Sequence, residues 1–490
     1  MNSTNPNPPA AAPIGDAGTY TLGGRSALGW TTGAVAAFHL AYGFAWSGFL
    51  MIVFMACLYR LAGLKSGRQA FYHGLGIGLL CYGPPLGFFW GVFGPAAMAL
   101  WVVLAAWLGL FLVLARLCRI RLGPVWAAAL APILWTGLEY FRSELYYLRF
   151  SWLNVGYAFS DCSQLYVVAG VGVYGIGFVL MAWVGLISLL PRRAALIASS
   201  GLLLLLGVGT NLPSHRSAST PGEATVRVAG MQMEFPGDLE TLQGLGMLHR
   251  TYPEAELMVL SEYTYDGPVP ERIKGWCQKN GLHLVAGGKH PLAGEEYYNT
   301  AFVIGPQGHT VFEQVKAVPI QFFKDGRPAP IQKVWDSPWG RIGLAVCYDL
   351  SYTRVMDRLV DQHAQALIVP TMDVVDWGEH QHRLHARVAP VRAAEYGLPI
   401  LRVASSGISQ LVDGRGHVWA TAPFGGEKAM LGGELVLAKS ALVPLDRRVA
   451  IMASVLCGCL IVFFLGSGVG PRKIRRFARA ENPCQPEILG

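Results

Sequence analysis

Charge is what this sequence has least of. Only 14% of its 490 residues are Asp, Glu, Lys or Arg, while 52% are hydrophobic; soluble domains carry about 25% charged residues. A chain this long and this poor in charge is more than one water-soluble domain, and much of it must lie in lipid. Cysteine is sparse as well. The nine cysteines form no CxxC pair and no metal-ligand spacing, which argues against a disulfide-stapled scaffold. No basic stretch followed by a short apolar core and a small-residue cleavage site opens the chain, so no removable signal peptide is expected and the first apolar segment must direct insertion. No patch of alternating basic and aromatic residues points to nucleic acid, and no internal repeat is present. The net charge is +8; in such a chain its placement carries more than its sum.

Apolar segments fill the first 211 residues. Residues 1–24 are polar and proline-rich and are expected to be disordered. Ala27 to Tyr59 carries no charge besides His39; it is too long for one span and short for two, and reads as two short helices turning near Tyr42–Ala45. Further apolar segments lie at 74–94, 95–114, 124–138, 165–190 and 194–209, and a last one at 449–465. This gives seven transmembrane helices in 25–211 and an eighth at 446–468. Basic clusters occur at Arg60/Lys65/Arg68, Arg116/Arg119/Arg121 and Arg192/Arg193, and again in a tail at 469–490 that contains Arg472, Lys473, Arg475 and Arg476. With the hairpin, all of them fall on one side, the cytoplasmic one. A linker at 212–224 then leads to a domain, 225–445, on the opposite face.

Two stretches within the apolar half invite a functional reading. After Leu138 come Glu139, Arg142, Glu144 and Arg149, then Phe150-Ser151-Trp152. Mixed charge with aromatics at a membrane boundary fits a headgroup-level site or an interfacial anchor; the plainer alternative is a solvated outer loop. Gly170-Val171-Gly172-Val173-Tyr174-Gly175 matches GxGxxG, but it lacks the strand and the βαβ unit that a dinucleotide site needs. Small residues there are expected to let membrane helices approach closely.

Strand and helix patterns alternate through 225–445, with hairpins around Gly305–Gly308 and Asp413–Gly416 and a helix over His382–Tyr396. Together these predict a mixed sheet sandwich covered by helices. At Gly340–Asp349 an apolar strand runs into Cys347, and a helix starts near Thr353. A thiol at such a strand end can protrude into a cleft, where turn N–H groups and the following helix would favour a thiolate and later an oxyanion; the plainer alternative is a buried core cysteine. Glu262 and Lys316 also follow strands. A carboxylate can take the thiol proton and return it to a leaving group, and an ammonium can stabilise the tetrahedral oxyanion. Singly, Glu262 reads as a turn residue and Lys316 as a surface lysine; three such residues at three strand ends of one domain read as a site. His380, His382 and His385 fit neither a zinc-protease helix nor a finger spacing, so no metal is expected.

These residues carry a family resemblance. The stretch 225–437 resembles the nitrilase, or carbon–nitrogen hydrolase, superfamily through Ser261-Glu262, Lys316-Ala317-Val318-Pro319, Val346-Cys347-Tyr348, and the run from His382 through Arg387, Arg392, Glu395 and Arg402 to Ser405-Ser406-Gly407. Trp135, Glu139, Arg142, Phe150-Ser151-Trp152 and Gly156-Tyr157 add a membrane-side signature, and the joint arrangement is similar to the bacterial apolipoprotein N-acyltransferase family. The resemblance implies a multi-pass α-helical membrane domain of about eight transmembrane helices with an extracytoplasmic nitrilase-like αββα sandwich, in the bacterial inner membrane. It implies a monomer, without cofactor, that takes an acyl chain from phospholipid onto Cys347 and passes it to the amine of a diacylglyceryl-cysteine lipoprotein. Glu262 would be the base and acid; Lys316 and the Tyr348 N–H would hold the oxyanion. Glu139, Arg142, Trp152 and Trp377 would lie on the substrate or membrane side.

The sequence departs from the family at three places. Asp349 stands where the family has Glu and reaches less far. Phe322-Phe323-Lys324-Asp325 replaces phenylalanine-glycine-glutamate, so that the supporting carboxylate is absent or moved to Asp325. The loop Thr371–Gly378, with Met372 and Trp377, is altered. Two other functions compete: a membrane-anchored amidase that gives the acyl-enzyme to water, and a binding or scaffold module with a decayed site.

Overall fold

The structure, a computed structural model, describes residues 22–161, 166–209 and 224–469. Nearly all of the expected N-terminal disorder, the linker and the basic tail lie outside the described residues.

The apolar half is helical, as it must be where no water can satisfy the backbone. Its helices are α1 (Gly24–Gly43), α2 (Met51–Leu61), α3 (Gly67–Tyr82), α4 (Phe88–Phe93), α5 (Ala96–Arg121), α6 (Pro124–Tyr140), α7 (Tyr166–Ser188) and α8 (Arg192–Gly209). The hairpin expected over Ala27–Tyr59 is present: α1 ends at Gly43, Trp46 turns the chain with φ 71°, and α2 packs on α1. Among the described residues three helices are long and apolar enough to cross a membrane: Ala96–Arg121, Gly170–Ser188 and Asp446–Ser467. Among the rest α1 has 20 residues, but α2 has 11 and α3 has 16, where a span needs about 20. Beyond α6 the chain makes a wide turn over Phe141–Leu145, and Glu139, Arg142 and Glu144 are buried. The solvated-loop reading of this stretch is therefore wrong.

The second half contains β1 (Thr225–Met231), α9 (Asp238–Thr251), β2 (Leu257–Val259), α10 (Glu271–Asn280), β3 (His283–Pro291), β4 (Tyr297–Ile304), β5 (Thr310–Val315), β6 (Val334–Ser337), β7 (Gly340–Leu344), α11 (Thr353–Asp361), β8 (Ala366–Thr371), α12 (Gly378–Ala386), α13 (Val388–Tyr396), β9 (Ile400–Ala404), β10 (Ser409–Val412), β11 (Val418–Ala422) and β12 (Met430–Val436); α14 (Asp446–Val469) follows. Two six-stranded sheets form, in the orders β12-β1-β2-β3-β4-β5 and β11-β10-β9-β8-β7-β6. The period of two along each strand sorts the side chains. Val226, Val228, Leu257 and Val259 enter the core between the sheets with Ile342, Leu344 and Ile368. Ala229, Met231, Met258 and Leu260 face α9 and α10. This is the αββα sandwich the strand pattern predicts.

The helix expected over His382–Tyr396 is two helices broken at Arg387, because Pro390 has no N–H to give the carbonyl of Ala386. The glycine-rich run in α7 also differs from expectation. At Gly172 the backbone turns to φ 78° and the helix restarts. The restarted helix presents free N–H groups, and buried carboxylates take them: Val173 N–H donates to Glu395 at 2.9 Å and Tyr174 N–H to Asp446 at 3.0 Å. A Cβ at Gly172 would lie 2.1 Å from the Asp446 carboxylate. Glycine is needed there for a carboxylate and for a positive φ, where the sequence predicted a close helix contact. Gly172→Ala is expected to cost about 2 kcal/mol from the left-handed backbone alone, with the clash added, and to lower the melting temperature of the detergent-solubilised protein.

Candidate active site

Each of the three strand-end residues is brought inward by its own local cause. Glu262 leaves β2 where β3 approaches closely at Gly287, whose Cβ would stand 2.5 Å from the Glu262 Cα. Lys316 is the first residue after β5, and Cys347 the third after β7. Lys316 Nζ lies 2.8 Å from Glu262 Oε1 and 2.7 Å from Asp325 Oδ2. Asn299 Nδ2 donates to Glu262 Oε1 at 2.6 Å and to Asp325 Oδ1 at 2.8 Å. The peptide of Met372 joins this group to the thiol: its N–H donates to Glu262 Oε2 at 2.8 Å, and its carbonyl lies 3.7 Å from Cys347 Sγ. Asp325 thus stands on Lys316 itself, held also by Tyr263 OH and the Ile320 N–H, both at 2.8 Å.

All of these groups are buried, and burial governs their protonation. Desolvation raises Glu262 above the usual carboxylate range; Lys316 opposes this and Asp325 adds to it. Desolvation would lower Lys316, but Asp325 and Glu262 outweigh it and hold the ammonium well above its ordinary value. The Cys347 thiol is pushed well up by burial and then by Glu262, with Lys316 opposing. The thiolate expected from the turn and the helix N-terminus is therefore not the resting state: the site is too dry for an isolated anion. A thiol beside a base that must itself receive the proton is the arrangement for deprotonation during attack.

The turn that presents the thiol is held from two sides. Cys347 has φ 52°, a left-handed conformation costing an L-residue about 1–2 kcal/mol and typical of sharp strand-to-helix turns that expose a nucleophile. Asp349 accepts from Val318 N–H at 2.7 Å, Ala317 N–H at 3.0 Å and Val346 N–H at 3.2 Å. The shorter side chain reaches, and it ties the loop after Lys316 to the turn after β7. Burial pushes Asp349 up to about 6 against the pull of these N–H groups. On the other side Arg392 donates to the carbonyls of Leu350 at 3.0 Å and Ser351 at 2.7 Å.

Cys347 and Tyr348 line a cleft of about 840 Å³ between the two halves. Phe88, Phe89 and Phe93 of α4 and Leu100 and Leu104 of α5 form one apolar wall. Phe322 and Phe323 reach α4 across it, with Phe93 ring centroids at 6.1 and 5.5 Å. Trp152 and Trp377 line the cleft as well, and Trp152 Nε1–H donates to Ser351 Oγ at 2.9 Å. Glu139 and Arg142 do not. They border a separate pocket under Tyr82 and Trp107, where Glu139 takes the Val155 N–H at 3.0 Å and Arg142 grips Asn154. From there they hold the 150–160 loop on the membrane side. Among the three histidines, His380 is exposed, while His382 and His385 are buried against the Thr371–Gly378 loop. The sequence reading missed Asn299, the phenylalanines of α4 and the linking role of the Met372 peptide; a lone Asn in a strand and a peptide group carry no pattern.

Two family models match the chain: the apolipoprotein N-acyltransferase N-terminal domain over residues 32–186 and carbon-nitrogen hydrolase over residues 240–438. Among curated relatives, the apolipoprotein N-acyltransferase of Geobacter metallireducens is 27% identical over 452 residues, covering 80% of this chain and 85% of that one. That of Shewanella oneidensis is 23% identical over 464 residues, covering 81% and 87%. Among solved structures, Saccharomyces cerevisiae Nit3, a member of branch 10 of the nitrilase superfamily, is 18% identical and superimposes with a TM-score of 0.39, covering 45% of this chain and 93% of that one.

Asp349→Ala would leave three buried N–H groups without an acceptor, at about 1 kcal/mol or more each. A loss of about 3 kcal/mol is expected, read as a lowered melting temperature. Asp325→Asn removes the negative charge that helps to raise Glu262. Glu262 should then ionise at lower pH, and the rise of Cys347 alkylation by iodoacetamide, which needs the Glu262 carboxylate as base, should move to lower pH with it.

Proposed function

We propose, from the premise that this chain belongs to the apolipoprotein N-acyltransferase family, that it carries a fatty acyl chain from a phospholipid through a thioester on Cys347 to the N-terminal amine of a diacylglyceryl-cysteine lipoprotein. The enzyme class, an N-acyltransferase with a carbon–nitrogen hydrolase domain, follows from the two family models and the curated relatives. One observation carries the mechanism: Cys347 lines a cleft with an apolar wall of membrane-half helices, and the Met372 peptide joins its thiol to the buried Glu262–Lys316–Asp325 centre. An acyl chain fits the first and an ester carbonyl the second.

Glu262 takes the Cys347 proton as sulfur attacks the ester carbonyl. Lys316 and the N–H of Tyr348, at the start of its turn, hold the oxyanion. Glu262 then protonates the leaving lysophospholipid oxygen. In the second half the amine attacks the thioester and the thiol is restored. Trp152 and Trp377 line the acyl path, and Asp325 and Asp349 position Lys316 and the nucleophile turn. The catalytic domain, 225–445, lies on the periplasmic face of the inner membrane, and eight helical segments enter the bilayer: α5, α7 and α14 as full-length apolar spans, and α1, α2, α3, α6 and α8 packed beside them. Internal contacts support this sidedness. Leu22 N–H meets Gly63 O at 3.3 Å and Arg116 meets Leu64 O at 2.7 Å, which gathers the N-terminus and two basic loops on one side. Tyr42, the α4 segment and the 145–160 loop all touch the α/β domain on the other.

Intact-mass measurement of purified enzyme with phospholipid tests the first half-reaction. An acyl increment is expected that hydroxylamine removes and Cys347→Ala abolishes, and Glu262→Gln should slow its appearance by about 10²–10⁴-fold. No increment under turnover conditions would overturn the reading. Release of free carboxylate at the same rate with and without diacylated peptide would assign the site to an amidase instead.

A further inference from the structure

His385 is a buried histidine that the acylation chemistry above leaves unused. It sits on α12 and lines the same cleft as Cys347. Its Nδ1 lies 2.8 and 3.0 Å from the two carboxylate oxygens of Asp373. Its ring stacks on Trp152, with centroids 4.4 Å apart and planes 16° apart, and Trp152 meets Tyr348 edge-on at 5.9 Å. Its Nε2 is buried and has no partner among the described residues. The charged or titratable groups facing the ring are Asp373 from the loop after β8, Arg402 from β9 and His382 on its own helix; Gln381 also donates to Asp373, at 2.9 Å. Arg402 Nη2 lies 3.1 Å from the same Nδ1 but donates to Asp373, and a carboxylate at 2.8 Å from Nδ1 fixes the proton there and leaves the lone pair on Nε2. Burial lowers the basicity of His385, Arg402 and His382 lower it further, and Asp373 opposes them, so the ring rests neutral, able to accept a proton.

We propose that His385, oriented by Asp373, is the base that takes the surplus proton of the acceptor ammonium in the second half-reaction. This rests on the thioester reading of the site. An α-amine ionises near pH 7.7–8.0 in roughly unperturbed peptides, so the acceptor arrives mostly as an ammonium, which has no lone pair for attack. Nε2 takes one proton. The freed amine attacks the thioester carbonyl carbon; the C–N bond forms and the C–S bond breaks. Glu262, ionised since it protonated the lysophospholipid, takes a second proton from nitrogen and gives it to Sγ. The third stays on the amide. The products are amide, thiol and a protonated His385, which releases its proton to water. Glu262 alone cannot do both, because it returns its proton to sulfur.

The test starts from preformed acyl-enzyme of the full chain in phospholipid–detergent micelles, freed of donor. Thioester discharge is followed by intact mass, with a diacylated peptide and with hydroxylamine, which is neutral at pH 7. For His385→Gln the peptide reaction should be about 10²-fold slower than wild type near pH 6.5, and the gap should close above the pH at which the peptide amine is free. Hydroxylamine should discharge variant and wild type alike. Asp373→Asn keeps the imidazole but removes the anion that orients it, and should show the same pH-dependent gap in weaker form. An equal deficit with both nucleophiles in both variants, or a deficit that persists unchanged at high pH, would overturn the proposal. If the wild-type enzyme forms no thioester, the acyltransfer reading fails and the proposal falls with it, whereas a thioester that both variants discharge to the peptide as fast as wild type overturns the role of His385 alone.

Discussion

One buried carboxylate, Glu395, holds the molecule together where its two halves meet. It accepts the Val173 N–H where α7 restarts, the guanidinium of Arg447 at the head of α14, and that of Arg392 on its own helix. A buried charge survives only with such compensation, and removing one partner of a buried pair costs about 3–5 kcal/mol. Each partner leads to a different structural unit. Arg447 continues to Asp357 on α11 and to Asp446, and Arg392 reaches the carbonyls behind Cys347. The position of the nucleophile turn is thereby set by membrane helices as much as by its own sheet.

That seam explains why the cleft combines such different walls. The sandwich alone would leave Cys347 at an open strand end. Docking against α4, α5 and the 150–160 loop adds apolar surface and takes water away. Dryness raises the thiol and Glu262 and strengthens the hold of the two carboxylates on Lys316. A site built this way keeps its nucleophile protonated until a base acts and excludes water from the walls where an acyl chain would lie.

Some of this was legible residue by residue. Glu262, Lys316 and Cys347 each follow a strand, and strand ends of one domain converge. Asp325 could be named as a substitute for a missing carboxylate but not placed, because whether it reaches Lys316 depends on how the Phe322–Asp325 loop folds over α4. Glu139 and Arg142 have the composition of a headgroup site and the location of an internal brace. The glycines of α7 matched a helix-contact pattern, yet the contact is with a carboxylate 274 positions away, counted from Gly172 to Asp446. The short strand β6 and the glycine-bearing β12 carry too weak a periodicity to read.

By itself the sequence determined what depends on neighbours along the chain: which segments are apolar enough to avoid water, where the composition turns, which strands alternate, and which residues end them. The tertiary structure decided what depends on neighbours across space: that Asp325 touches Lys316, that Asp349 bridges two loops, that His385 lines the cleft with its Nε2 buried and unpartnered among the described residues, and that burial pushes the thiol up. The reason is physical. Hydrophobicity and backbone propensity are local quantities, summed over a few residues. The energy of a buried charge or hydrogen bond is set by partners and by the absence of water, and both exist only once distant segments have packed.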